Sequence, residues 1–297
     1  MATIPSTCKF HVVSTTVDTT DRGSEEFQSQ RKVYTMADIT DTVDVSVSPY
    51  KAGTGTDSIV PVAGSGGSSG LMSVLSGGCC NRISGTSDYS AIHGGKDNLI
   101  DASNCSWIGG GRCHTITTAL CKVNTIVGGY NHTITGNTRY GFIGGGNGNC
   151  MSISDSAVMA GGYDNTMSNA PYSALVGGRN NNVAGDCAFL GAGCKNHADR
   201  NFSVVVGGQE NCTDGGTYNS ILGGCENFLE GDYSVIVGGK SNLDDSCACA
   251  MIVGSNITAD RVCSTFVNNL SIMNIPVASA GLPSGAVWSN AGVLTII

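Results

Sequence analysis

The amino-acid sequence predicts an all-β chain that folds as a repetitive parallel β-solenoid, or β-roll, of about 11–12 coils of about 16 residues each. Three observations support this prediction: a short unit recurs at nearly constant spacing, glycine makes up 43 of 297 residues, and only 13% of residues are charged. Ordinary globular chains contain about 7% glycine and about 25% charged residues. Proline occurs only 6 times and glycine does not recur at every third position, so neither a Pro/Gly-rich coil nor collagen is indicated.

The repeating unit reads Ser-φ-φ-φ-Gly-Gly-x-x-Asn-x-φ, where φ is apolar. Clear copies occupy residues 90–100, 173–183, 203–213 and 234–244. Each unit is too small to bury its own apolar face, so coils must stack on one another. Successive units place the Asn position 15 to 18 residues apart, and a degenerate twelfth copy adds Asn256; the position is filled by Asn81, Asn98, His114, His132, Asn149, Asn165, Asn181, Asn196, Asn211, Asn227 and Asn242.

Each part of the unit has a predicted conformation. The apolar triplet, such as Val204–Val206, suits a short strand because its residues are β-branched. The Gly-Gly pair suits a tight corner, and Asn, which tolerates left-handed φ, suits the residue that leaves it. The apolar residue two positions after Asn, such as Ile100, is predicted to point inward from a second strand. The predicted structural turn residues are Gly94, Gly95, Asn98, Gly161, Gly162, Asn165, Gly177, Gly178, Asn181, Gly207, Gly208, Asn211, Gly223, Gly224, Asn227, Gly238, Gly239 and Asn242.

The apolar triplets also predict association between chains. Successive side chains of a strand point to opposite faces, so Val204–Val206 presents apolar groups on both. One face is expected to pack inside the coil and the other against neighbouring copies, which predicts a homotrimeric fibre. At about 4.8 Å per coil, twelve coils make a rod about 55 Å long.

Two segments resemble a known repeat. Residues 161–182 and 207–228 resemble the Gly-Gly-x-x-Asn-Thr-x-x-Gly-x-Tyr-Ser-x-φ-x-Gly-Gly repeat of trimeric autotransporter adhesin heads and of bacteriophage fibre proteins, and the likeness extends over residues 77–256. The stretches 32–43 and 50–62 look like the entry segment of phage repeat fibres, and residues 280–297 look like a phage fibre closing segment. No secretory signal or C-terminal membrane barrel is expected. The resemblance therefore implies a virion fibre, a head or tail fibre of a bacteriophage.

The predicted organisation has four parts. Residues 1–60 form a non-repeating particle-attachment region, with strands at 9–17 and 43–47 and a short helix at 36–43. Residues 61–70 form a linker, and residues 71–262 form the Gly-Gly-x-x-Asn repeat shaft. Residues 263–297 form a C-terminal β cap or tip, because the end of a solenoid otherwise exposes unpaired strand edges.

Charge and cysteine content exclude several partners. The net charge is −8 and no Lys/Arg cluster occurs, so neither nucleic acid nor an anionic membrane surface is an expected partner. No segment reaches the roughly 18 apolar residues of a membrane span. The 14 cysteines include no CxxC pair, and they are expected to be reduced thiols that serve as small buried apolar residues. No metal and no cofactor are expected.

Two groups of residues are candidates for binding. The residues that follow Gly-Gly are predicted to project at the corners, either as a contact for a host surface glycan or as a solvated edge; they include Lys96, Arg112, Tyr130, Tyr163, Arg179 and Lys240. His114 and His132 stand at the Asn position in consecutive coils. Stacked across three chains they would suit a metal, but the favoured interpretation is that His, like Asn, tolerates unusual φ.

The predicted function is that of a structural virion fibre or appendage protein of a bacteriophage. It is expected on the virion surface after assembly in the host cytoplasm, anchored to a capsid or tail protein and involved in host-surface adhesion. No enzyme activity is expected, because glycoside hydrolysis needs two carboxylates held about 5–9 Å apart and the acidic residues are scattered. The alternatives are a polysaccharide-cleaving β-helical spike, a capsid decoration protein with no receptor role, and an ice-binding solenoid, which would need regular Thr ladders.

Overall fold

A computed structural model describes residues 50–52, 59–61, 68–118, 122–271, 275–290 and 293–296. These residues belong to one of the two compact units into which the chain divides, Tyr50–Ile297. They form strands and turns without any helix, and they confirm an all-β parallel β-solenoid of about 12 turns with about 16 residues per coil. The strands predicted at 9–17 and 43–47 and the helix predicted at 36–43 lie outside the described residues.

The strands are short and alternate between two parallel sheets. In chain order they are β1 (Tyr50–Ala52), β2 (Ile59–Pro61), β3 (Val74–Leu75), β4 (Arg82–Ser84), β5 (Ala91–Ile92), β6 (Leu99–Asp101), β7 (Trp107–Ile108), β8 (Thr115–Thr118), β9 (Thr125–Ile126), β10 (Thr133–Gly136), β11 (Phe142–Ile143), β12 (Cys150–Ser152), β13 (Val158–Met159), β14 (Thr166–Ser168), β15 (Ala174–Leu175), β16 (Asn182–Val183), β17 (Phe189–Leu190), β18 (His197–Ala198), β19 (Val204–Val205), β20 (Cys212–Thr213), β21 (Ser220–Ile221), β22 (Phe228–Leu229), β23 (Val235–Gly238), β24 (Leu243–Asp244), β25 (Met251–Val253), β26 (Thr258–Ala259), β27 (Thr265–Val267), β28 (Val287–Asn290) and β29 (Val293–Ile296).

The first sheet contains β1, β2 and the odd-numbered strands from β3 to β27, and the second sheet contains the even-numbered strands from β4 to β26. Neighbouring coils pair in parallel, whereas β1 pairs with β2 and β28 with β29 antiparallel. A third line of contact joins the residues after Gly-Gly through single bridges from Cys79 to Lys240. Each coil is therefore held to the next along three lines.

The core consists of two columns of inward side chains, one from each sheet. In the first sheet the second residue of each strand points inward, as Ile92 and Ile108 do, and in the second sheet Ile100 and Ile116 do the same; all four are fully buried. Burying such a side chain stabilises the fold by about 1.5–3 kcal/mol. Stacking identical positions thus supplies the core that a single coil lacks.

The corner after each apolar triplet differs from the prediction in one respect. The second glycine has left-handed φ, as at Gly178 (+86°), but the other left-handed residue is the one before Asn, as at Asn180 (φ 55°). Asn181 itself is turned inward and buried. The residue at the Asn position therefore contributes a buried side chain to the interior of the coil, and the preceding residue, not the one at the Asn position, adopts the left-handed backbone of the corner.

The twelfth coil corrects the predicted place of Asn256. Asn256 has the left-handed φ (54°) of the residue before the Asn position. The backbone N–H of Ile257 instead donates to Asn242 Oδ1 at 3.1 Å, as an Asn would. The ladder therefore ends on a backbone amide rather than on an asparagine side chain.

The C-terminal residues have little core of their own. Ala259 is the last buried residue of the described chain, and the described residues from 261 to 296 are half-buried or exposed. The β28–β29 hairpin forms a separate two-stranded sheet, a type of structure that is marginally stable in isolation. Within the described part of the chain, we find no helix with the length and hydrophobicity to span a membrane.

Candidate functional site

A ladder of buried asparagines runs through the interior of the shaft. Asn181 is typical: its Nδ2 donates to Gly177 O at 2.9 Å and to Gly193 O, in the next coil, at 3.1 Å. Its Oδ1 accepts the backbone N–H of Asn196 at 2.9 Å. The same contact links consecutive coils from Asn81 to Asn242, with two histidines in the series. A buried amide thus satisfies backbone groups on both sides of each coil interface.

His114 and His132 continue this ladder. Their rings are fully buried and stacked, with centroids 4.9 Å apart and planes 5° from parallel. His132 N donates to His114 Nδ1, and Asn149 N donates to His132 Nδ1, both at 3.1 Å. Each imidazole Nδ1 therefore replaces an Asn Oδ1. The reason for histidine here is its side-chain acceptor, because the left-handed residues are the preceding Cys113 and Asn131.

The ladder requires both histidines to be neutral. Burial lowers the pKa of His114 to about 4, with a further contribution from His132, and burial also lowers the pKa of His132. A protonated Nδ1 would place an N–H against another N–H. Because both rings lie inside their own coil, imidazoles of neighbouring chains cannot meet there to share a metal.

The histidine pair predicts a loss of stability in acid. The folded pKa of His114 lies below its unfolded value of about 6.5, so the unfolded state binds the proton first. The free energy of unfolding is therefore expected to fall as pH drops from about 6.5 to about 4, by about 3 kcal/mol for His114. Urea unfolding at several pH values should show a smaller fall in a His114→Asn variant. Thr115→Asn, an outward change in the same coil, serves as control, and an equal fall in all three proteins would contradict the prediction.

The predicted surface-contact residues all lie exposed along the third line of contact. Lys96, Arg112 and Tyr130 are consecutive in it, and the Arg112 guanidinium lies 5.8 Å from the Tyr130 ring centroid. Asn147 separates Tyr130 from Tyr163, and Cys194, Gln209 and Cys225 separate Arg179 from Lys240. The corner is thus a polar edge with cationic and aromatic groups, interrupted in two places. Its members are Lys96, Arg112, Tyr130, Tyr163, Arg179 and Lys240.

The outer face of the first sheet is largely apolar along the shaft, although it also carries His93, Thr125 and Ser220; we call it the apolar face. It consists of the first and third positions of each triplet. Val176 is 50% exposed, Val206 46% and Leu222 47%. Other exposed members are Val127, Val158, Phe189, Val237, Met251 and Val253. The outer face of the second sheet is polar in its first half, with Thr115, Thr117, Thr133, Thr135, Ser152 and Thr166 pointing outward.

Sequence analysis missed a column of exposed aromatic residues beside the apolar face. These residues stand just before the Ser position of the unit and have left-handed φ, which is uncommon for bulky side chains. Phe202 and Tyr218 stack with centroids 4.6 Å apart, and Tyr218 and Tyr233 stack at 5.1 Å. Recurrence of an aromatic before Ser was the available signal. The column contains Tyr89, Tyr140, Tyr172, Phe202, Tyr218 and Tyr233.

The expectation that cysteines are buried is wrong for most of those described. Cys247 is buried, but the other eleven described cysteines are exposed or half-buried. Many stand at corners, where a small side chain is tolerated and solvent is close. Their thiols are therefore available to chemistry at the surface.

Comparison with models of protein families found no match for this chain, and comparison with curated proteins found none either.

Proposed function

We propose that this protein is the shaft-forming subunit of a homotrimeric bacteriophage fibre on the virion surface, with a structural and host-adhesive role. The observation that supports the proposal best is the apolar face, which continues from coil to coil in the first sheet, whereas the outer face of the second sheet is polar in its first half. Exposed apolar surface of this extent marks an association site. Three copies that turn their apolar faces toward a common axis would cover all of it.

The C-terminal residues support the same association. Leu270 is 70% exposed and Val277 81%, and Ile296, within the β28–β29 hairpin, is 71% exposed, so that the hairpin lacks a core. Val253 and Val267 continue the outward positions of the first sheet toward this end. In the proposed trimer the tips pack on one another and gain the burial that one chain does not provide.

The remaining parts of the proposal follow the sequence. Residues 1–60 would attach the fibre to a capsid or tail protein, after assembly in the host cytoplasm. The polar corner edge, with Lys96, Arg112 and Tyr130, would contact a host surface glycan weakly at many coils. No catalytic activity is part of the proposal; a polysaccharide-cleaving spike and a decoration protein without a receptor role are its alternatives.

The association is tested on the purified full chain. Light scattering should give three times the 30.3 kDa chain mass. Val206→Asp combined with Leu222→Asp should give single chains, because it places two charges on the apolar face. Both side chains are about half exposed within one chain, so the substitutions should leave its core intact. Thr135→Asp, on the outer face of the second sheet, should leave the trimer intact. A wild-type mass of one chain would reject the trimer.

The virion assignment is tested by cryo-electron microscopy of particles carrying this protein. A threefold rod rooted by residues 1–60 in tail or capsid would support the fibre and locate it. Digestion of host polysaccharide by such particles that depends on this chain would favour the spike. Absence of the chain from particles would reject the virion assignment. The trimer would then stand or fall on the mass measurement alone.

A further inference from the structure

Two exposed thiols stand at the same corner of the last two coils. Cys249 and Cys263 both have left-handed φ, 59° and 52°. Cys249 N donates to Asp232 O at 2.8 Å, and Cys263 N donates to Ala248 O at 2.9 Å. Each amide thus bonds to the preceding coil in the same way, which places the two residues one coil apart in the column that contains Tyr233.

Side chains in this column lie directly over one another. The Tyr218 and Tyr233 rings, one coil apart, are nearly parallel at 4° with centroids 5.1 Å apart. Equivalent residues of adjacent strands are about 4.8 Å apart, within the Cα separations of about 4.4–6.8 Å that disulfides span. The Cys263 thiol is close enough to Cys249 to raise the pKa of its thiol.

We propose that Cys249 and Cys263 are a modification site, at which oxidation forms a disulfide that staples the last two coils together. A small-molecule disulfide such as oxidised glutathione serves as the oxidant. One cysteine thiolate attacks it, forming a mixed disulfide and releasing one glutathione thiol; the other cysteine then attacks the mixed disulfide and releases the second. The two cysteine protons pass to the two glutathione thiols, which also hold the two electrons removed from the cysteine sulfurs.

The pair lies at the end of the stack, where a disulfide would hold the last coil in place. Ile252 and Ala259 are the last buried pair of the stack, and Phe266, which packs against their cluster, is itself only partly buried. Coils at the end of a stack have a neighbour on one side and open most easily. A bond from Cys249 to Cys263 closes the chain around this end, so that the last coil cannot unwind separately. The inference concerns a single chain and does not depend on the proposed fibre function.

Other described cysteines in the column have no thiol above or below. Cys187 lies between Tyr172 and Phe202, with the same amide bonding and left-handed φ, and it is exposed. It is the matched control. Cys79 and Cys80, with Sγ atoms 3.0 Å apart, are adjacent in sequence, so a bond between them would join no two coils.

The test uses the full chain, purified reduced, then incubated with oxidised glutathione, alkylated and digested with trypsin. Trypsin cleaves after Arg261, so a Cys249–Cys263 bond joins two peptides, 241–261 and 262–297, that otherwise separate. We expect this linked pair in the wild type and in Cys187→Ser, and its loss in Cys249→Ser. Fragmentation of the wild-type pair distinguishes Cys249 from the buried Cys247, even if the variant does not fold.

Thermal unfolding provides the second readout. Oxidised wild type and oxidised Cys187→Ser should unfold at a midpoint at least about 4 °C above their reduced forms, whereas Cys249→Ser should show no difference. Separate glutathione adducts on Cys249 and Cys263 at the level seen on Cys187 would overturn the proposal. Recovery of the linked peptides only from the dimer band of a non-reducing gel, and not from the single-chain band, would show a bond between different chains and would overturn it as well.

Discussion

Replacing Asn181 with leucine is expected to lower the free energy of unfolding by about 2–6 kcal/mol. The side chain is 1% exposed, so leucine fits the burial but supplies no polar atom. Two backbone groups then lose their partners inside the protein, the Gly177 carbonyl and the Asn196 N–H. Gly193 O keeps the bond from Arg179 N. Each unpaired buried group costs about 1–3 kcal/mol.

The neighbouring residue offers a matched control for this variant. Asn182 points outward, at a position that Thr115, Thr133 and Thr166 occupy in other coils. Asn182→Thr loses only the half-buried hydrogen bond from Asn182 Nδ2 to Asp199 Oδ1, so it should cost about 0.5–1.5 kcal/mol. Urea unfolding followed by circular dichroism compares the three proteins. If both variants lost the same small amount, the ladder would not be a main source of stability.

Replacing Gly178 with alanine is expected to cost about 2–5 kcal/mol. Gly178 has φ +86°, and a Cβ there would overlap the Gly193 carbonyl oxygen and lie 2.5 Å from Asn181 Nδ2. The clash involves the backbone of the next coil, so it cannot be relieved by a side-chain rotation. The same substitution therefore disturbs the corner and the asparagine ladder together.

Gly177→Ala is the control one residue away. A Cβ at Gly177 meets no atom within 4 Å, and the next coil carries Ala192 at the corresponding position, where its carbonyl accepts the bond from Asn196 Nδ2 at 3.0 Å. Its cost should stay under about 1 kcal/mol. Thermal unfolding midpoints distinguish the pair. Equal destabilisation by both alanines would show that the two glycines are needed for a shared reason, such as chain flexibility.

The architecture was predictable because the spacing of the unit directly records the length of a coil. Ile100 and Val205 were expected in strands that face the core, and both are buried. The role of Asn was not predictable in the same way. Asparagine suits a left-handed corner and a buried hydrogen-bond ladder equally well, and only the position of the Asn181 side chain decides between them.

The positions of the surface columns were predictable from the sequence, but the residue types exposed on them were less so. The residues after Gly-Gly were expected to align, and Lys96, Arg112 and Tyr130 do so. The column with Phe202, Tyr218 and Tyr233 was overlooked because left-handed φ is unusual for large side chains, so sequence preference alone argues against it. The exposed cysteines were misjudged because a thiol is usually buried, whereas these stand on a fold with little interior.

The asparagine ladder also makes the reach of the shaft adjustable in discrete steps. Each coil presents to the next coil what it receives from the previous one, an acceptor for one backbone N–H and a donor for one carbonyl. Removing or duplicating one complete coil would therefore leave every remaining interface with the same partners, and would change the span by about 4.8 Å. Loss of half a coil would bring strands of one sheet into line with strands of the other, and loss of a single residue within a strand would turn inward residues outward. Lengths that are whole multiples of the unit are thus freely interchangeable, whereas intermediate lengths are not.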